Sequence, residues 1–247
     1  MRKLSFAKLR RANNAAMKRY ARFGTVVFQE ALLKQADEYD PVVMQRAYVR
    51  FYQEVFVDAA TRQFNIIRVQ NRKAFIPDGF FLQTWKAWIG QYVINNMAEL
   101  IAKVNDRTFK LIEQSLASAI EQGLNPFQTA KLIRSQVGSR ARALAVARTE
   151  STRANNMGLE RSADDWATET GAELWKVWLH GGSRNPREPH INLSVQKPIR
   201  KHELFPIGGG MSKPGELSAP ANQTINCSCF CQYLSQNYIE RYYPELV

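Results

Sequence analysis

Residues 139–171 read "SRARALAVARTESTRANNMGLERSADDWATETG", and where this stretch begins and stops being helical decides the architecture. Ser139 is a good N-cap, the run from Ala141 to Ala147 favours helix, and Gly171 is a natural stop, so the spacing predicts one helix to about Thr170. Its first part is basic, with Arg140, Arg142, Arg148 and Arg153 around a single acid, Glu150. Past Gly171 the character changes. "ELWKVWLH" (173–180) alternates bulky residues and predicts a strand. "GGSRNPREPH" (181–190) is a loop, "INLSVQKPI" (191–199) a short strand or turn, and "FPIGGGMSKPGELSAPANQ" (205–223) almost pure loop. "TINCSCFCQYL" (224–234) closes the region as a second strand.

Upstream of Ser139 the period is helical. Asp40 and Pro41 open a long amphipathic helix on which Val43, Ala47, Phe51, Val55, Ala59 and Ile66 recur at three- and four-residue steps. Pro77, Asp78 and Gly79 break it. Further helices are expected over 82–104, over 106–121 with a stop at Gly123, and after Asn125-Pro126 with a stop at Gly138. Trp85, Trp88 and Tyr92 share one helical face, read as core. The first 23 residues carry Arg2, Lys3, Lys8, Arg10, Arg11, Lys18, Arg19 and Arg22 and no acid. Their apolar residues are too loosely spaced for a strong stripe, which predicts a basic arm or marginal helix, and functionally one that binds a polyanion. The expected class is therefore α+β: long helices over the N-terminal two-thirds, then a small α+β module with short strands and long loops. The expected divisions are an arm (1–23), a helical domain (24–138) and an α+β domain (139–247).

A net charge of +12 favours a polyanionic partner, with nucleic acid the commonest. No apolar run is long enough to span a bilayer, so no membrane partner is expected. Three cysteines crowded into five positions do not make a disulfide framework, and a reducing cytosol suits them best. No P-loop, Rossmann fingerprint, H-E-x-x-H or G-x-S-x-G is present, nor a base-reading module, so any nucleic-acid contact is expected to be independent of sequence.

From Ser139 onward the order of landmarks resembles the minor head proteins of tailed phages typified by the phage Mu F protein. The carriers are Ala147-Arg148-Thr149-Glu150, then Ala154, Asn155 and Gly158; Lys176 and Trp178; Arg187-Glu188-Pro189-His190; Phe205-Pro206; Pro214-Gly215-Glu216; and Asn226-Cys227-Ser228-Cys229. The match spans 139–233. Two places depart from the pattern: Ser228 stands where the family usually has Arg, and Leu193-Ser194-Val195 replaces its Leu-Asp-Gly turn. The resemblance implies a non-enzymatic virion component, present in few copies inside the head near the portal. Its partners would be portal and capsid proteins and non-specific DNA, and it would pass through the host cytoplasm during assembly. It also implies structural roles for Arg148, Glu150, Asn155, Trp178, Pro214, Gly215 and Asn226.

On a strand, Cys227, Cys229 and Cys231 share one face. Packed core thiols with no cofactor are the preferred reading, because an extended C-x-C pair spreads its sulfurs too far for one tetrahedron. A zinc site in which His190 joins the three cysteines is the alternative. Catalysis is the second functional reading: a hydrolase using His190 with Cys227 or Cys229 and Asn226, or a metal-dependent one using Glu188 or Glu216 as base.

Overall fold

The computed structural model describes residues 3–37, 40–71, 76–183 and 185–247. Five helices come first: α1 (Phe6–Asp37), α2 (Pro41–Gln70), α3 (Leu82–Glu121), α4 (Pro126–Val137) and α5 (Arg140–Thr170). Then follow β1 (Leu174–Leu179), α6 (Glu188–Leu193), β2 (Ile199–Arg200), α7 (Ala221–Thr224), β3 (Phe230–Ser235) and α8 (Gln236–Tyr242), with a closing 3-10 turn. The class is α+β, as the sequence predicts. Among the described residues no helix is long and apolar enough to cross a membrane.

The local signals act where the sequence places them. Asp40 accepts from the Val42 amide, Asn125 and Gln128 form a reciprocal capping box, Ser139 caps α5, and Gly171 ends it at φ +65°. Several expectations fail, among them the loop and the short strand or turn read over 188–193, which form α6. The helices predicted over 82–104 and 106–121 are one continuous α3, since no proline or glycine between Val104 and Thr108 interrupts the backbone ladder. The basic arm is no arm from Phe6 onward: α1 runs without a break through the expected boundary at 23/24. It buries Asn13, Ala16, Met17, Tyr20, Gly24, Val27 and Phe28, a helical stripe in which small and polar residues interrupt the apolar ones, which is why its hydropathy pattern is weak. Nor does the division at 138/139 separate two bodies, because α5 packs along both α1 and α2. Gly158 makes that approach close: a Cβ there would sit 2.3 Å from the Phe56 carbonyl oxygen. The aromatic interior of the bundle includes Phe28, Tyr48, Phe51 and Phe56, all fully buried. Trp85 is buried too, with its indole N–H donated to Asp165 at 2.7 Å, and Trp88 stacks on Phe56 and Tyr92.

The sheet is antiparallel in the order β2-β1-β3, with Trp178 opposite Cys231 and Lys176 opposite Tyr233. Both of its faces are covered, and every residue of β1 is buried. β3 is an edge strand, but its outward backbone groups do not face water. The Gln63 amide donates to Tyr233 O at 3.1 Å, and Gln70 Oε1 accepts the Ser235 amide at 2.9 Å. From α5, Asn156 Nδ2 donates to Cys229 O at 3.1 Å while its Oδ1 accepts the Cys231 amide at 2.8 Å. Thr152 Oγ1 donates to Cys227 O. Residues on two helices thus stand in for a missing strand.

Asn156→Leu keeps the volume but orphans both backbone groups, at about 1–3 kcal/mol for each buried group left unpaired. Asn156→Asp retains the acceptor alone and is expected to fall between parent and Leu variant. Urea unfolding orders the three proteins, and amide exchange at Cys231 should accelerate in the Leu variant.

Candidate functional site

Beneath the middle of α5 lies a buried ionic unit. Arg153 Nη1 donates to both carboxylate oxygens of Glu150 at 2.6 Å, and the Tyr52 hydroxyl donates to Glu150 Oε2 at 2.5 Å. Arg153 Nε reaches the Gly215 carbonyl at 3.2 Å. Burial alone would favour the neutral guanidine, but the adjacent Glu150 carboxylate outweighs it and holds Arg153 protonated, with its pKa raised. Burial, then the Glu150 charge, pushes the Tyr52 phenol well above its ordinary value. Gly215 has φ +77°, and a Cβ there would lie 3.0 Å from the Arg153 nitrogen, so the Pro214-Gly215 turn fits against α5 only without a side chain. Asn155 accepts a 2.6 Å bond from Arg62, tying α5 to α2. Among the expected structural residues Arg148 and Asn226 are exposed, and the partner of Glu150 is Arg153.

Of the three cysteines only Cys231 lies within a strand, because β3 begins at Phe230. Asn226 adopts φ +54°, and its amide donates to Thr149 Oγ1 at 3.1 Å, so the chain turns there and pairs with β1 only from Phe230. Asparagine is among the few residues that take this conformation readily. Cys231 sits within β3 opposite Trp178, and burial pushes its thiol up. Cys227 and Cys229 instead converge on His190, whose Nδ1 is 3.6 Å from Cys227 Sγ and 3.4 Å from Cys229 Sγ. The other ring nitrogen, Nε2, is 2.9 Å from Gln223 Oε1. The Cys229 amide donates to Cys227 Sγ at 3.4 Å, and Trp178 meets His190 edge-on. The Cys229 thiol as a hydrogen-bonding neighbour, and after it His190 and the Cys229 amide, hold the Cys227 thiol below its ordinary value; Cys229 is driven the other way. Arg187 donates to Ile225 O at 2.7 Å, so Arg187 and His190 together clasp the 223–229 segment. Gly181 lies under that segment, where a Cβ would fall 2.0 Å from Ser228 O. Neither expected carboxylate base joins the cluster. Glu188 is exposed in the first turn of α6, and Glu216 is held by the Ser212 amide and hydroxyl. Asn226, the expected orienter, is exposed; Gln223 takes that position.

Beside the cluster runs a groove of about 870 Å³ between α1 and the first turns of α5, closed at one end by Gly181–Ser183 and Asn226–Ser228. Lys18 and Arg22 stand on one wall, Arg140 and Arg148 on the other, and no carboxylate lines it among the described residues. Of the four, Lys18, Arg22 and Arg148 are exposed and Arg140 is also open to solvent. The eight cations expected to act together do not form one patch. Lys18 and Arg22 enter the groove, and Lys8 and Arg11 lie along the solvent side of α1. Arg19 turns away to pair with Asp58 at 2.9 Å, Arg10 is half-buried, and Lys3 lies over the Tyr242 and Tyr243 rings. Arg2 falls outside the described residues.

No family model, curated protein or solved structure matches the chain.

Residues that carry the site without a sequence motif to mark them are Thr152, Arg153, Asn156 and Gln223. The one signal available for Arg153 is its three-residue spacing from Glu150.

Removing one member of the buried pair strands the other. Glu150→Ala is expected to cost about 3–5 kcal/mol. Arg148→Ala, at an exposed position, should stay within about 0.5 kcal/mol of the parent. Denaturant unfolding of the two variants checks this, and the reverse ranking would return Arg148 to the core.

Proposed function

We propose that this chain is a non-enzymatic minor head protein of a tailed phage, similar to the Mu F type, which contacts packaged DNA through the groove between α1 and α5. The observation that carries the proposal is the facing of Lys18 and Arg22 by Arg140 and Arg148 across a groove without acids. Such an arrangement attracts phosphate along a track and gains affinity by releasing counterions, with no need for base recognition. Several landmarks of the resemblance also meet in space: Glu150 reaches the Pro-Gly turn through Arg153, and His190 touches the Asn-Cys-Ser-Cys segment. Those contacts support reading them as one pattern. Portal and capsid proteins are the proposed protein partners, with few copies inside each head near the portal.

Hydrolysis is the second reading, favoured by the contact of His190 with two thiols at the end of the groove. It calls for nuclease or protease turnover by the purified protein, whereas the head-protein reading expects none and expects the protein in a mass-spectrometric inventory of purified virions.

DNA binding should be independent of sequence and steeply salt-dependent. Replacing Lys18, Arg22, Arg140 and Arg148 together by glutamine should weaken it strongly and flatten the plot of log K against log salt, by about 0.7–0.9 for each phosphate that is no longer neutralised. Arg19→Gln, away from the groove and already ion-paired, should change little. Equal effects of the two variants in a fluorescence-anisotropy titration would remove the groove from the proposal.

A further inference from the structure

We infer that His190, Cys227 and Cys229 are the three protein ligands of a zinc site, and that Cys231 is not a ligand. One donor atom from each of the three residues lies within 4.8 Å of the others, and all three residues are buried. Zinc–nitrogen and zinc–sulfur bonds of about 2.0 and 2.3 Å meeting at a tetrahedral angle put the two donors ~3.5 Å apart. The two His190 Nδ1–Sγ distances are 3.4 and 3.6 Å. The objection that a C-x-C pair spreads its sulfurs holds for an extended strand. It does not hold here, because the left-handed Asn226 and the late start of β3 let both sulfurs turn to one point.

The surroundings suit a metal more than a pair of free thiols. With Nε2–H donated to Gln223 Oε1 at 2.9 Å, the Nδ1 lone pair faces the two sulfurs. This is the arrangement by which an outer partner sets the tautomer of a ligating histidine. Cys227 Sγ accepts the Cys229 amide, a contact that stabilises a thiolate. Charge balance points the same way. On binding, each thiol loses its proton to solvent, and two thiolates with one neutral imidazole cancel a divalent ion, leaving a neutral centre that tolerates burial. A fourth corner is left for water or another exogenous donor, and Cys227 also lines the basic groove. Metal binding would therefore pin α6 to the segment that closes the groove, whether or not the groove meets DNA.

The test uses the full-length chain, reduced, loaded with zinc(II) and passed through gel filtration. About one zinc per chain is expected. Loading with cobalt(II) instead should give a sulfur-to-metal charge-transfer band and the visible spectrum of a tetrahedral site with thiolate ligands. Cys231→Ala should keep both the stoichiometry and the band. Gln223→Leu should keep the spectrum but lower zinc affinity roughly 10–100-fold. Parent protein that retains less than about a tenth of an equivalent, or whose cobalt form shows no sulfur band, overturns the site. That outcome needs no variant to fold. Loss of the band in a Cys231→Ala protein whose circular dichroism matches the parent overturns the ligand assignment.

Discussion

An exposed strand edge must have its amides and carbonyls paired, and in this chain β3 meets that demand with side chains instead of another strand. Gln63 and Gln70 lie seven residues apart on α2, and Thr152 and Asn156 four apart on α5, so each pair occupies one helical face. Together they serve the outward groups of residues 227, 229, 231, 233 and 235. The position of the sheet on the helices follows from this. So does the path of the 226–229 segment, whose carbonyls are held by α5 while its sulfurs turn to His190. The backbone groups partnered in this way are closed to another chain, and the opposite edge, β2, is only two residues long.

α5 bears most of the organisation because each of its faces has a different neighbour. Ala143, Ala147, Ala154 and Gly158 are small enough to let the bundle approach closely. Glu150 and Arg153 make the buried pair that reaches α2 and the Pro-Gly turn. Thr152 and Asn156 attend to β3, and Arg140, Leu144 and Arg148 are left to the groove. A helix with so many tasks has no simple apolar stripe, and its buried positions include serine, threonine, asparagine, glutamate and arginine.

Much of the fold is legible in the sequence because it rests on local chemistry. Caps at Asp40, Asn125 and Ser139, the stop at Gly171 and the strand around Trp175 and Trp178 all depend on residues within a few positions of one another. What escapes a reading of the sequence depends on distant partners. The buried stripe of α1 mixes small and polar residues with apolar ones, and it becomes intelligible only beside α5. The tasks of Gln63 and Asn156 exist only once β3 is present. The three cysteines suggest one strand by their alternation, yet Cys227 and Cys229 precede β3 and meet His190 after a left-handed turn at Asn226, for which the asparagine is the clue. The cations of the N-terminal segment are visible as a run, but a run carries no direction, and the helix sends Lys18 and Arg19 to different sides.

The pairing of β3 with α2 also has a temporal side. Gln63 and Tyr233 are 170 residues apart in the chain, and Gln70 and Ser235 are 165 apart. Contacts of such long range repay the entropy of closing the loop only late, so they slow folding relative to a bundle built from neighbouring helices. During synthesis, α1 to α5 emerge first and can associate while the glutamines of α2 and the Asn156 amide still hydrogen-bond to water. The last strand then replaces that water. The bundle contacts can thus precede the sheet, which closes only once β3 reaches the glutamines of α2.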